Sequence, residues 1–244
     1  MITFETLNEL CLKITCSGGN DYIYSKAGAF IAGECRGAKN YTFTKVMLGP
    51  QGNVGQAILG QIVRRITGEN LPLMKVEFSG DSVTYYANNQ QHVVVIRLNQ
   101  GETISVESEN ILAFSKDCKY SVRFLGQGII SQKGLATSTL TGTGPNAFVA
   151  VLVDGNPLML SNMDTGTTLE ADPDAVVCWI GADPTFRTDI SWRNFIGQSS
   201  GESYMFEWAS HLPATIIIQP MERASGLDLS MDGRRTGGRP SLPL

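Results

Sequence analysis

The sequence predicts an all-β protein built from three tandem β repeats, with one short helix interrupting the first. Three observations lead there. A segment near the middle of the chain recurs downstream without a gap, short apolar stretches alternate with a period of two, and glycine supplies 26 of the 244 residues. Alternation places successive side chains on opposite faces of a strand, and a surplus of glycine provides turns. The first repeat is read at residues 1–78, the second at 79–148 and the third at 149–220, with 221–244 as a flexible tail.

The recurrence is clearest in Gly101-Glu102-Thr103-Ile104-Ser105-Val106-Glu107-Ser108-Glu109-Asn110-Ile111-Leu112-Ala113-Phe114. It aligns on Gly166-Thr167-Thr168-Leu169-Glu170-Ala171-Asp172-Pro173-Asp174-Ala175-Val176-Val177-Cys178-Trp179. A fainter copy runs from Asp21 to Gly33, where Ile23, Phe30 and Ile31 match Ile104, Ile111 and Leu112, and Lys26 stands where the second copy has Glu107. Each copy reads as a hairpin: a strand, a polar turn (Ala27-Gly28, Ser108-Glu109-Asn110 or Pro173-Asp174) and a second strand.

Within the first repeat, Val54, Ile58, Ile62 and Ile66, with Ala57 beside them, form a stripe at helical spacing, although Gly55 and Gly60 each cost about 1 kcal/mol relative to alanine. His92–Leu98 in the second repeat and Phe148–Val153 where the third begins are two stretches apolar enough to be interior strands covered on both faces. Tyr120, Val122 and Phe124 share one face of a later strand, as do Tyr204, Phe206 and Trp208 in the third repeat. Ser225–Leu244 has no periodic apolar pattern to anchor it.

A formal net charge of -4 gives no overall electrostatic footprint for nucleic acid. The longest apolar run, Ala147 to Val153, is far shorter than the roughly 20 residues of a spanning helix, and the first residues lack the basic and apolar regions of a secretion signal. The five cysteines, Cys11, Cys16, Cys35, Cys118 and Cys178, form no disulfide framework, so free thiols in a cytoplasmic protein are expected. Peripheral attachment to a membrane surface is left open.

Val94-Val95-Ile96-Arg97-Leu98 leading into the Gly101–Phe114 segment resembles the altered inheritance of mitochondria protein twenty-four family. Arg123-Phe124-Leu125-Gly126-Gln127-Gly128, Leu140-Thr141-Gly142-Thr143-Gly144, the Gly68-Glu69 and Gly201-Glu202 pairs and Asp172-Pro173-Asp174-Ala175-Val176-Val177 add to it. The resemblance covers residues 10 to 220 approximately. It implies a fold like that of the tryptophan RNA-binding attenuation protein: a short double-stranded β-helix in three copies per chain, with three chains closing a pseudo-ninefold ring. The bacterial members of that family have no established biochemical activity, and the mitochondrial relatives are associated with inner-membrane organisation, so the resemblance implies architecture more than function.

The motifs that carry chemistry elsewhere are out of context here. Gly197-Gln198-Ser199-Ser200-Gly201 fits a nucleophile elbow, but the alternating Ser203–Trp208 follows it where a helix is required. His92 and His211 are far apart and neither begins a closely spaced histidine pair, so no metal site is expected. Cys11 and Cys16 lack a second pair to complete a zinc site, and Cys178 sits inside an apolar run as a small buried hydrophobe. Gly49-Pro50-Gln51-Gly52-Asn53-Val54-Gly55 lacks the ending of a phosphate-binding loop, and Arg234, Arg235 and Arg239 among glycines are diluted by Asp228 and Asp232. Glu107, Glu109, Asp172 and Asp174 recur in matching turns and are assigned to turn hydrogen bonding, with a negative rim for a cation or basic partner as the functional alternative. The sequence therefore points to a non-catalytic homotrimeric scaffold or interaction protein without cofactor, and alternatively to an RNA-binding or small-ligand-binding module on the same ring.

Overall fold

Every second side chain of β2 (Cys11–Cys16) and β3 (Asp21–Lys26) is buried, as the period of two predicts. The structure is a computed structural model that describes residues 1–47, 72–125, 135–187 and 205–220. The stretch with helical spacing, the Gly49–Gly55 loop, the Ser199 motif, Tyr204 and the 221–244 tail lie outside the described residues, as does the side chain of Phe124.

The described residues form antiparallel strands in four sheets. The first sheet has the order β1 (Ile2–Leu7), β2, β7 (Ser82–Tyr86), β4 (Phe30–Cys35). In the second, β5 (Tyr41–Met47), β6 (Pro72–Phe78) and β3 are continued by β10 (Ile111–Ser115), β13 (Phe148–Val153) and β8 (His92–Arg97). The third runs β11 (Cys118–Leu125), β12 (Leu135–Gly142), β9 (Thr103–Val106), β16 (Val176–Gly181), β19 (Ala214–Ile218), β14 (Leu158–Ser161). The fourth is β15 (Leu169–Ala171), β18 (Met205–Trp208), β17 (Thr185–Arg187). The third sheet has the order of the second with every strand number raised by six. The first and fourth sheets, apart from β1, are the two halves of that same pattern.

Three apolar clusters fill the spaces between these sheets. Leu12, Ile14, Val76 and Leu152 belong to the first, Val106, Ile111, Phe114 and Val177 to the second, and Trp179, Phe206, Trp208 and Ile216 to the third. β10 feeds two of them, with Leu112 and Ala113 in the first cluster and Ile111 and Phe114 in the second, which is why all five of its residues are buried.

Two expectations need correction. β3 and β4, β9 and β10, and β15 and β16 are not hairpins, because the strands of each pair lie in different sheets. The connection is a corner: one 3-10 turn, Ser108–Asn110 or Pro173–Ala175, is flanked by extended residues on both sides and redirects the chain from one sheet to the next. The alternating pattern of a hairpin and of a corner is the same, so sequence does not separate them. β8 is also not an interior strand, since it pairs with β13 alone among the described strands and half-exposes most of its side chains, whereas β13 is buried from Val149 to Val153.

Candidate functional site

The strands that follow the three corners carry the same irregularity. β4 shifts register against β7 between Phe30 and Ala32, β10 against β13 between Ile111 and Ala113, and β16 against β19 between Val176 and Cys178. Each shift inserts one residue, a β-bulge, at Ile31, Leu112 and Val177. Leu112 and Val177 are 0% exposed while Ile31 is 57% exposed. The difference has a direct cause: β10 is covered along its other edge by β3 and β16 by β9, whereas β4 has no neighbour there among the described residues. Four consecutive residues of β4, Ile31 to Glu34, are consequently exposed.

Three residues past Phe30, Gly33 occupies the position held by Phe114 in β10 and Trp179 in β16. A side chain at Gly33 would collide with the phenol of Tyr41, which fills the slot. Tyr41 packs against Phe30 and Phe43, the Lys39 ammonium lies 5.1 Å from its ring centre, and burial pushes its hydroxyl pKa up.

The opposite end of the sheet series also has an edge that is unpaired among the described residues. β15 pairs with β18 and with no other described strand. Its Glu170 accepts a hydrogen bond from Arg187 at 2.8 Å, and Arg187 also reaches Glu207 at 2.9 Å. The interior counterpart of this arrangement lies where β9 meets β16. There Arg123 donates to Ser105 at 2.7 Å and pairs with Asp183, whose carboxylate also accepts from the Trp179 indole at 3.2 Å.

In the Pro173–Ala175 turn an acidic side chain makes the turn hydrogen bond assigned to it. Asp172 accepts from the Asp174 amide at 2.9 Å, whereas Glu107 makes no side-chain cap. Lys26, which takes the place of Glu107 in the first copy, donates instead to the Glu109 carbonyl at 2.6 Å. His92 is half-buried with Nε2 3.6 Å from Glu9, His211 is exposed in the turn between β18 and β19, and no group of three metal-ligating side chains forms among the described residues.

All five cysteines are free thiols; burial pushes Cys118 up to about 11 and Cys178 further up, so neither presents a thiolate near neutral pH. A shallow groove of about 430 Å³ beside Asp21, Tyr22, Lys75 and Glu77 is occupied by its own ion pairs, Lys75 to Glu77 at 2.6 Å and Lys116 to Asp21 at 3.0 Å. No described helix is long and apolar enough to cross a membrane.

Sequence reasoning reached the strands that carry the bare edges but not their exposure. The available signal was Gly33, which replaces the large aromatic residues found at the matching positions of the other copies.

Layered antiparallel sheets, in which β4 and β15 each keep one edge that no described strand pairs, define an all-β protein. The family model described as mitochondrial biogenesis AIM24 matches residues 4–221, and the chain belongs to that family. Comparison with curated proteins gave no match. Among solved structures, the crystal structure of protein SPYM3_0169 from Streptococcus pyogenes is similar at 17% identity with a TM-score of 0.62, covering 91% of this chain and 94% of that one. At that identity the likeness establishes the fold.

Proposed function

We propose that the protein is a non-catalytic cytoplasmic scaffold that self-assembles into a homotrimeric ring and offers its outer surface to protein partners. In this reading the chain is three units of six strands, Cys11–Tyr86, His92–Val153 and Leu158–Ile218, and β1 is an addition to the first. The observation that carries the proposal is the bare strand β4. An apolar bulge residue that is fully covered at two matching positions is 57% exposed at the third, on a strand edge that no other described strand pairs. Association of identical chains removes such edges when the rotation between copies closes.

Sedimentation equilibrium of the purified chain tests it. A species of three times 26.4 kDa across the micromolar range is expected, and a monomer throughout that range overturns the proposal. RNA binding has less support, because Lys13, Lys75, Lys116, Arg123 and Arg187 are each already paired with carboxylates of this chain. A salt-dependent titration with single-stranded RNA would favour it, since neutralising phosphates makes affinity fall steeply with salt. Esterase activity that disappears in Ser199→Ala would overturn the non-catalytic assignment.

A further inference from the structure

We infer that the outer edge of β14 is a docking site for a short, extended, cationic segment of another protein, which adds to the third sheet as an antiparallel strand with apolar residues at alternate positions. This rests on the partner-binding half of the reading above and names the surface and the chemistry of the partner. β14 ends its sheet beyond β19, so the site is separate from β4 and from the joints that assembly makes there.

The same edge is occupied in the first copy. Tyr86, Val151 and Ile218 lie opposite the aligned residues Phe30, Ile111 and Val176. On their other side they face Leu12, Val94 and Leu158, so β2, β8 and β14 are one strand in three copies. The outer edge of β2 is taken by β1, which runs antiparallel with Thr6 opposite Leu12 and Phe4 opposite Ile14. The edge of β8 is met by the turn between β1 and β2: the Val93 amide donates to the Glu9 carbonyl at 2.8 Å, and the Thr6 hydroxyl donates to the Val93 carbonyl at 3.3 Å. The edge of β14 has no neighbour among the described strands. Asn162 donates back to the Ala214 carbonyl, which makes Ser161 and Thr215 a non-hydrogen-bonded pair, and the alternation of an antiparallel ladder then turns the Met159 and Ser161 amides outward. The Ser161 carbonyl is held by the Thr165 hydroxyl at 3.4 Å, and Pro157 has no amide to offer, so the edge suits only a short segment.

Exposure and charge define the occupant. Beside β1, Leu12 is 0% exposed, whereas its counterpart Leu158 is 51% exposed, and Met159 and Met163 are each 60% exposed. A segment laid along β14 as β1 lies along β2 places its own apolar residue opposite Leu160, where Phe4 stands opposite Ile14. Asp154 and Asp164 bracket this edge, and no residue between them carries a charge. A second copy paired antiparallel here would set Asp154 against the partner subunit's Asp164, and the two carboxylates would repel. A segment with a cation at each end meets both carboxylates instead, which selects a different protein over a second copy of this chain.

Peptide titration of the full chain, read by the NMR shifts and hydrogen exchange of individual amides, tests the site. The probe is the blocked peptide Lys-Ile-Thr-Phe-Thr-Thr-Lys, whose phenylalanine falls opposite Leu160. One control has glutamate at both ends, and another has proline at the two threonines opposite Met159 and Ser161. The lysine-flanked peptide should saturate and slow exchange at Met159 and Ser161 by about tenfold, while neither control does so. In Asp154→Lys/Asp164→Lys the preference should reverse toward the glutamate-flanked peptide, a change that leaves the core untouched. No response up to about 1 mM, an equal response to the proline control, or an unreversed charge preference overturns the site. Met159 and Ser161 amides that already exchange slowly in the free chain also overturn it, because another part of this chain then covers the edge. Sedimentation of the same samples separates the two readings. A trimer without a response overturns the site and leaves assembly standing, and a monomer that responds supports the site while assembly falls.

Discussion

Ile31 and Leu112 are the same residue position in two copies, and truncating each to alanine separates the stability of the chain from the stability of the assembly. Leu112 is 0% exposed, so Leu112→Ala removes a fully buried side chain and leaves a cavity, at a cost of about 2–5 kcal/mol to the folded chain. Ile31 is 57% exposed, and fully burying an isoleucine is worth about 1.5–3 kcal/mol, so less than half of that is already realised within one chain and roughly 1 kcal/mol remains to be gained at each joint. Ile31→Ala should lower the urea midpoint of dilute, dissociated chain only slightly. It should weaken each joint about fivefold, or about a hundredfold over the three joints of a closed ring. Urea denaturation followed by tryptophan fluorescence reads the first quantity and sedimentation equilibrium across a concentration series reads the second. Equal losses of chain stability in both variants, or an unchanged association constant in Ile31→Ala, would refute the reasoning.

The buried Asn162 accepts from the Ala214 amide at 2.7 Å and donates to the Ala209 and Leu212 carbonyls; Asn162→Ala should cost about 1–3 kcal/mol in chemical denaturation, and a neutral result would show that this turn is held by other contacts. Native-state titration with a thiol reagent at pH 8 should modify Cys35 before Cys118 and reach Cys178 only on unfolding, because burial raises both of the latter, Cys118 to about 11. Lys116 has its pKa raised above the ordinary lysine value, first by its hydrogen bond to Asp21. Its contribution is therefore fully present below the ordinary lysine pKa and is lost as pH rises through the raised one. Denaturation midpoints from pH 9 to 12 should show this loss as less than about 1 kcal/mol, and Asp21→Asn should abolish it.

Strand identity was legible because alternation survives wherever one face is covered, as in β2 with Leu12, Ile14 and Cys16 inward. The corners were not legible. Ser108-Glu109-Asn110 and Pro173-Asp174 are turn-forming whether the chain doubles back or crosses to another sheet, and the deciding contacts come from β3 and β9, far away in sequence. β8 was misplaced for a related reason. Val93-Val94-Val95-Ile96 is apolar on both faces because both face neighbouring core layers, although no described strand pairs with its outer edge; apolarity reports covered faces and says nothing of paired edges. The bare β4 edge was hidden in the same way, since Ile31 looks like any core residue until its missing neighbour is seen.

Because β3 joins β10 and β9 joins β16, the interior sheets straddle the boundaries that the alignment suggests, and no cut between copies would release a self-sufficient piece. Nicking the backbone near Gly101 leaves both fragments holding half a sheet each, so they should stay together like interlocked fingers and melt in one step. A truncated product ending there would instead expose the raw borders of β3 and β8, which lose β10 and β13, and should precipitate, so the full run of copies folds as one unit.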